Sequence, residues 1–190
     1  GIDIGGTKVA GGVVDSGGRV VRRARRDTPH RSTSPSVVED TIVSVVDELL
    51  EGCSDDIAAV GIGAAGFVAT DRATVVFAPH LSWRNEPLRE ALGKRVSLPI
   101  FVDNDANAAV WAEHRLGAGR GESHLVMVNL GTGIGGGIVL GGRVIRGRFG
   151  IHRAALAKPR RQFERKAHLW YERRLELGEF AGNPECRRLV

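Results

Sequence analysis

The chain is short of the residues that would place it outside the cell or in a membrane. Only two cysteines, Cys53 and Cys186, occur in 190 residues. They lie far apart and match no metal-ligand spacing, which excludes a disulfide framework and fits a reducing, cytoplasmic setting. No run approaches the roughly 18 apolar residues that cross a bilayer, and no basic-then-apolar leader opens the chain, so no membrane partner is expected. Aromatic residues make up only 5%. The net charge is +5, yet of 27 Lys/Arg and 22 Asp/Glu, residues 1–151 carry 17 of each, leaving 10 and 5 for residues 152–190. That basic tail has neither an aromatic platform nor a recognition motif, so nucleic acid is not an expected partner. Glycine, by contrast, is plentiful at 26, as in α/β proteins built on tight strand–loop turns.

The chain is organised around Leu98–Ala109. Ile100-Phe101-Val102 reads as a short buried strand, and the Ala-rich run from Ala106 to Leu116 as a helix closed by Gly117. Asp103, Asn104 and Asp105 lie between them, where a strand feeds a helix. An Asp or Asn there can cap the helix by accepting its orphan N–H groups. Open α/β sheets also bind ligands beyond the carboxyl ends of their strands, where a carboxylate can act as general base towards a hydroxyl. Both readings stand on these residues alone.

The chain opens at Gly1, inside a strand, which implies residues before it. Ile2-Asp3-Ile4 stops at Gly5-Gly6-Thr7-Lys8, followed by strands at Val9–Val14 and Arg19–Ala24. The Gly5-Gly6 tip can surround an anion with backbone N–H groups, and Asp3 beside it suits a Mg²⁺ held through water. It is not a Walker A loop, because Thr7 precedes Lys8 and a strand follows. Arg22–Arg26 reads as a solvated basic face. Residues 35–51 carry the clearest helical pattern, with Pro35 first, a capping box of Ser36 and Glu39, and apolar Val38, Ile42, Val45, Val46 and Leu49. Ile57–Ile62 reads as a strand covered on both faces, leading to the small-residue loop Gly63-Ala64-Ala65-Gly66. Ala78–Trp83 is irregular, and its His80 reads most simply as a surface histidine. A short helix is expected at Glu86–Leu92.

His124–Leu130 reads as a strand running into Gly131-Thr132-Gly133-Ile134-Gly135-Gly136-Gly137. Glycines 131, 133 and 136 satisfy G-x-G-x-x-G, but Gly137–Leu140 reads as a returning strand and no acid follows near residue 156, so the dinucleotide reading fails. A further strand is expected at Arg143–Ile145. Ile4-Gly5-Gly6-Thr7 and Leu130-Gly131-Thr132-Gly133 each end one strand and launch another. That repeat predicts a duplicated fold whose two glycine turns face each other across a cleft with Asp105 at the junction. Such an arrangement suits phosphoryl transfer, which depends on positioning and charge stabilisation.

Five pieces in this order, Ile2–Lys8, Gly61–Gly66, Phe77–Trp83, Val102–Ala109 and Leu130–Gly137, resemble the ROK family (repressors, open reading frames and sugar kinases), most closely its bacterial glucokinase branch. The resemblance covers residues 1–151. It implies an α/β, actin-like ATPase (ribonuclease-H-like) duplicated fold, here with its second half truncated. It also implies ATP-dependent phosphorylation of a hexose at its 6-hydroxyl with Mg²⁺. By motif match, Asp105 is the catalytic base, and Gly66, Asn104, Asp105 and His80 meet the sugar. His80 stands where related glucokinases often have Asn. Asp3, Gly5, Gly6, Thr7 and Lys8, with Gly131, Thr132 and Gly133, hold the nucleotide and its metal. Family members are homo-oligomers.

The match stops abruptly. After Arg148-Phe149-Gly150-Ile151 the family's Glu-x-Gly-His sugar motif and its cysteine zinc loop do not follow, so this chain supplies no zinc ligands. The expected division is residues 1–118 as a first actin-like unit, 119–151 as the start of a second, and 152–190 as a non-family basic tail that a shifted reading frame explains best. The competing functions are a sugar-sensing repressor of the same family and an inactive fragment. Retention of Asp105 with both glycine turns favours the kinase.

Overall fold

The computed structural model describes residues 1–53, 57–130 and 134–146. The turn Gly131–Gly133 and the tail 152–190 lie outside the described residues. The main sheet has five strands in the order β3-β2-β1-β4-β8. β1 (Ile2–Ile4), β2 (Lys8–Val14) and β3 (Val20–Asp27) form an antiparallel meander. β4 (Val60–Ala64) and β8 (Ile100–Asn104) extend it parallel to β1. β5 (Phe67–Val68), β6 (Val75–Phe77) and β7 (Arg84–Glu86) make a small outer sheet. β9 (Leu125–Leu130), β10 (Ile134–Leu140) and β11 (Arg143–Val144) form a second antiparallel meander, as the glycine-turn repeat predicts. The helices are α1 (Pro35–Leu50), α2 (Leu88–Gly93) and α3 (Asp105–Leu116).

Helix α1 covers one face of the main sheet. Its expected apolar positions Val38, Ile42, Val45, Val46 and Leu49 are all buried, against a core that includes Ile2, Ile4, Val9 and Ile62. Burying each such side chain is worth roughly 1.5–3 kcal/mol relative to exposure. The capping box is not formed. Pro35 occupies the first turn, and the residue before a proline is held extended, so Ser34 at φ −66° and ψ 153° becomes the cap residue without a side-chain cap bond. Ser36 lies inside the helix, its hydroxyl paired with that of Ser34 at 2.7 Å. Glu39 is therefore free to turn inward, where it is buried.

Burial chiefly, then the charge and hydrogen bond of Glu86, raise the pKa of Glu39 above the ordinary carboxylate value, with Arg95 opposing. A carboxyl with a raised folded-state pKa loses stability as pH rises from its unfolded pKa through its folded one. Glu39→Gln is accordingly expected to raise the melting temperature near neutral pH. The gain should vanish below about pH 4, where Glu is protonated in both states. A pH-independent shift in scanning calorimetry would contradict this account.

Several boundaries differ from the sequence-based expectation for identifiable reasons. β4 begins at Val60 rather than Ile57, because its neighbours β1 and β8 start opposite Ile62 and Val60 and offer no earlier partner. It then continues through Gly63 and Ala64. α2 begins at Leu88, since Glu86 completes β7 and Pro87 caps the helix. The arginine cluster on β3 is not wholly solvated: the Arg22 guanidinium donates to the Leu49 carbonyl at 3.1 Å and also to that of Glu51, closing the C-terminus of α1, and Arg26 pairs with Glu48 at 2.6 Å.

β10 starts at Ile134 rather than at Gly137, so Gly135 and Gly136 are also strand residues, facing Asn129 and Val128. The missing side chains of Gly135 and Gly137, on the face towards α3, let that helix lie close on the second sheet. A Cβ at Gly137 would stand 2.4 Å from Val110 Cγ1 and 3.0 Å from the Ala106 carbonyl oxygen. Gly137→Val is expected to cost about 1–3 kcal/mol through overpacking, measured by chemical denaturation. An unchanged midpoint would show that α3 does not pack here. The opposite face of this sheet exposes Val126 and Val128.

Candidate active site

The candidate side chains of the acidic turn gather where β1, β4 and β8 end. Backbone register sets Asp3, Gly63 and Asp103 in one row across these strands. Asn104 follows Asp103 and caps α3: its Oδ1 accepts the Ala106 N–H at 3.0 Å and the Asn107 N–H at 3.2 Å. Its Nδ2 donates to the Gly66 carbonyl and to Asp105 Oδ1, both at 2.9 Å. Both amide protons and both acceptor positions of Asn104 are thus engaged within the protein. A sugar contact from Asn104 would have to exchange one of these bonds.

Asp105 is the first residue of α3 and is half-buried. Its Oδ1 takes the Asn104 amide and the Ala106 N–H at 2.8 Å, while Oδ2 has no hydrogen-bond partner among the described residues. Burial raises its pKa above the usual carboxylate value. The Ala106 N–H pulls the other way, and the nearby Asp3 carboxylate adds to the rise. The capping reading of this stretch therefore falls on Asn104, which leaves one Asp105 carboxylate oxygen without a described partner.

The first glycine turn is closed by the Gly5 N–H to the Lys8 carbonyl at 2.9 Å. Gly6, Thr7 and Lys8 are exposed. Thr28, which no sequence motif singles out, holds this turn from the side. Its hydroxyl donates to the Gly5 carbonyl at 2.8 Å and its N–H to the Thr7 carbonyl at 3.1 Å. The signal for it was positional, since Asp27 pairs with Lys8 and leaves Thr28 beside the turn. His80 is exposed and lies against the same turn, where a Cβ on Gly6 would be 2.7 Å from His80 Cβ. Gly66 is wedged under β6, its position for a Cβ only 2.7 Å from the Phe77 carbonyl oxygen. Gly131, Thr132 and Gly133 lie outside the described residues. The strand leaving them reaches α3 at its first turn, Gly135 facing Ala106.

No group of three metal-ligating side chains occurs among the described residues. Asp3, beside the first glycine turn and facing Asp105, fits a Mg²⁺ bound through one carboxylate, water and substrate phosphates, the usual way this ion is held.

A parallel β1-β4-β8 core flanked by an antiparallel meander, followed by a second meander of the same kind, defines an actin-like α/β protein. Within that class the chain belongs to the ROK family, whose model matches residues 1–155. Over 151 residues it is 48% identical to a glucokinase of Streptomyces coelicolor, covering 80% of this chain and 46% of that protein. The crystal structure of a ROK family glucokinase from Streptomyces griseus in complex with glucose and AMPPNP superposes with a TM-score of 0.74 at 50% identity, covering 82% of this chain and 47% of that one. A putative xylose repressor of Caldicellulosiruptor sp. is 42% identical over 92 residues, 48% of this chain and 23% of that protein. The chain spans about half the length of the curated glucokinases it matches.

Proposed function

We propose that this chain carries the sugar-side half of an ATP-dependent hexose kinase, with glucose as the acceptor and glucose 6-phosphate as the product. The observation that carries the reading is Asp105: one carboxylate oxygen is pinned, the other has no described partner, and the pKa is raised by burial. Oδ2 is positioned to take the proton of a sugar hydroxyl as that oxygen attacks the terminal phosphoryl group of the nucleotide. The Asn104 amide holds Asp105 Oδ1 and the Gly66 carbonyl, fixing base and loop relative to each other. Mg²⁺, carried through Asp3, would neutralise developing charge on the phosphates. The backbone N–H groups of the two glycine turns would hold those phosphates, and His80 stands at the first of them.

Similarity to a repressor raises the alternative of sugar sensing without transfer. Asp105 together with the phosphate-type turns supports the kinase, because a sensor has no use for a base of raised pKa beside an anion-binding hairpin. The test, made on a full-length version of the protein and not on this chain alone, offers glucose, mannose and N-acetylmannosamine as acceptors, with MgATP and polyphosphate as donors. Transfer to glucose from MgATP is expected to be fastest. Sugar binding without transfer from either donor would favour the sensor.

A further inference from the structure

Asp103 is the residue of the Asp103-Asn104-Asp105 stretch to which the proposed chemistry gives no task, yet its carboxylate has the most partners. Its side chain is 12% exposed. Oδ1 accepts the Asn104 N–H at 2.9 Å and the Asn107 side-chain amide at 3.1 Å. Oδ2 is held by Arg146, whose Nε lies at 3.2 Å and Nη2 at 2.5 Å, and by Arg72 Nη2 at 3.4 Å. The three elements involved are separate. Asp103 ends β8 of the main sheet, Arg146 follows β11 of the second sheet, and Arg72 sits in the turn joining β5 to β6 of the outer sheet at φ 51°. One nearly buried carboxylate therefore joins all three described sheets at the point where the base is presented.

We infer that Asp103 is a positioning residue: its ion pairs with Arg146 and Arg72 set the turn bearing Asn104 and Asp105 relative to the second sheet and to the outer sheet above Gly66. Two cationic partners suit this task better than one. A carboxylate with little solvent needs its charge compensated, and the Arg146 guanidinium grips it through two nitrogens, which fixes direction as well as distance. Asn107 adds a tie inside α3, so movement at Asp103 is felt in the first turn of the helix that starts with the base. The inference rests on reading Asp105 and the glycine turns as a kinase site, since only then does their relative placement matter for reaction.

The test uses the whole chain and the variants Arg146→Gln, Arg146→Lys, Asp103→Asn and Asp103→Asn/Arg146→Gln, read by amide hydrogen exchange and by calorimetric titration with glucose. Arg146→Gln, made just after β11 and far from α3 in the chain, is expected to speed exchange at the Ala106 and Asn107 amides by roughly tenfold and to leave Val45 and Val46 in α1 unchanged. Arg146→Lys should restore most of the protection. Glucose affinity should fall by roughly tenfold in either single variant, and the double variant should be no worse than the weaker single, as coupled residues require. Unchanged exchange at α3, or equal acceleration in α1, overturns the inference, because either means that Arg146 contributes only to general stability. If the wild-type chain binds no glucose, the sugar-site reading fails by itself, and the exchange pattern still decides whether Asp103 positions the turn.

Discussion

In a full-length version of this protein, replacing Asp105 by Asn is expected to lower transfer to glucose by about 10²–10⁴-fold, the usual contribution of a positioned general base. Glucose affinity should stay within about tenfold, the range a single altered hydrogen bond covers. Asn retains an oxygen for the Ala106 N–H and the Asn104 amide but cannot accept the hydroxyl proton at the second position. Folding should survive, because the substitution removes a carboxylate that burial and Asp3 both disfavour in ionised form. The sign is fixed by the raised pKa: ionised Asp105 subtracts from stability as pH rises through its folded-state value, so at neutral pH the Asn variant should melt no lower than wild type. Turnover within a factor of two of wild type would remove Asp105 from the role of base.

The second large effect is expected at Gly66. A side chain there meets backbone, 2.7 Å from the Phe77 oxygen and 3.1 Å from Ala78 Cα, and neither can swing away as a side-chain tip could. Gly66→Val must push the loop off β6 and carry the Gly66 carbonyl away from Asn104 Nδ2. Glucose affinity is expected to fall more than tenfold, with a stability loss of about 1–3 kcal/mol. Gly61, in β4 ahead of this loop, has open space where a Cβ would stand, with no heavy atom within 4 Å. Gly61→Ala is therefore the control and should leave affinity unchanged. Equal losses in both variants would point to general misfolding of β4 instead of a displaced Asn104.

Much of this architecture was legible because local rules and tertiary demands agree. The period of Val38, Ile42, Val45, Val46 and Leu49 describes α1, and each position is buried. Gly18 and the Gly141-Gly142 pair, all at positive φ, reverse the chain between strands of the two meanders, a conformation few other residues adopt. Boundaries departed from expectation where a neighbour decides the outcome. β4 starts where β1 and β8 can pair with it, and Gly135 and Gly136 run as strand because β9 pairs with them through Asn129 and Val128.

The order of motifs along residues 1–151 was by itself enough to establish the family, the two meanders and the presence of an acidic strand-to-helix turn. These depend on residue type and spacing, which the chain carries in one dimension. Only the tertiary structure decided which contacts each residue of that turn makes. Asn104 became cap and tether, Asp105 kept one oxygen without a described partner in a half-buried setting, and Asp103 was taken up by Arg72 and Arg146, 31 and 43 positions away. The reason is physical: burial and charge pairing depend on which distant segments are folded against a residue, and no local pattern encodes a guanidinium arriving from another sheet.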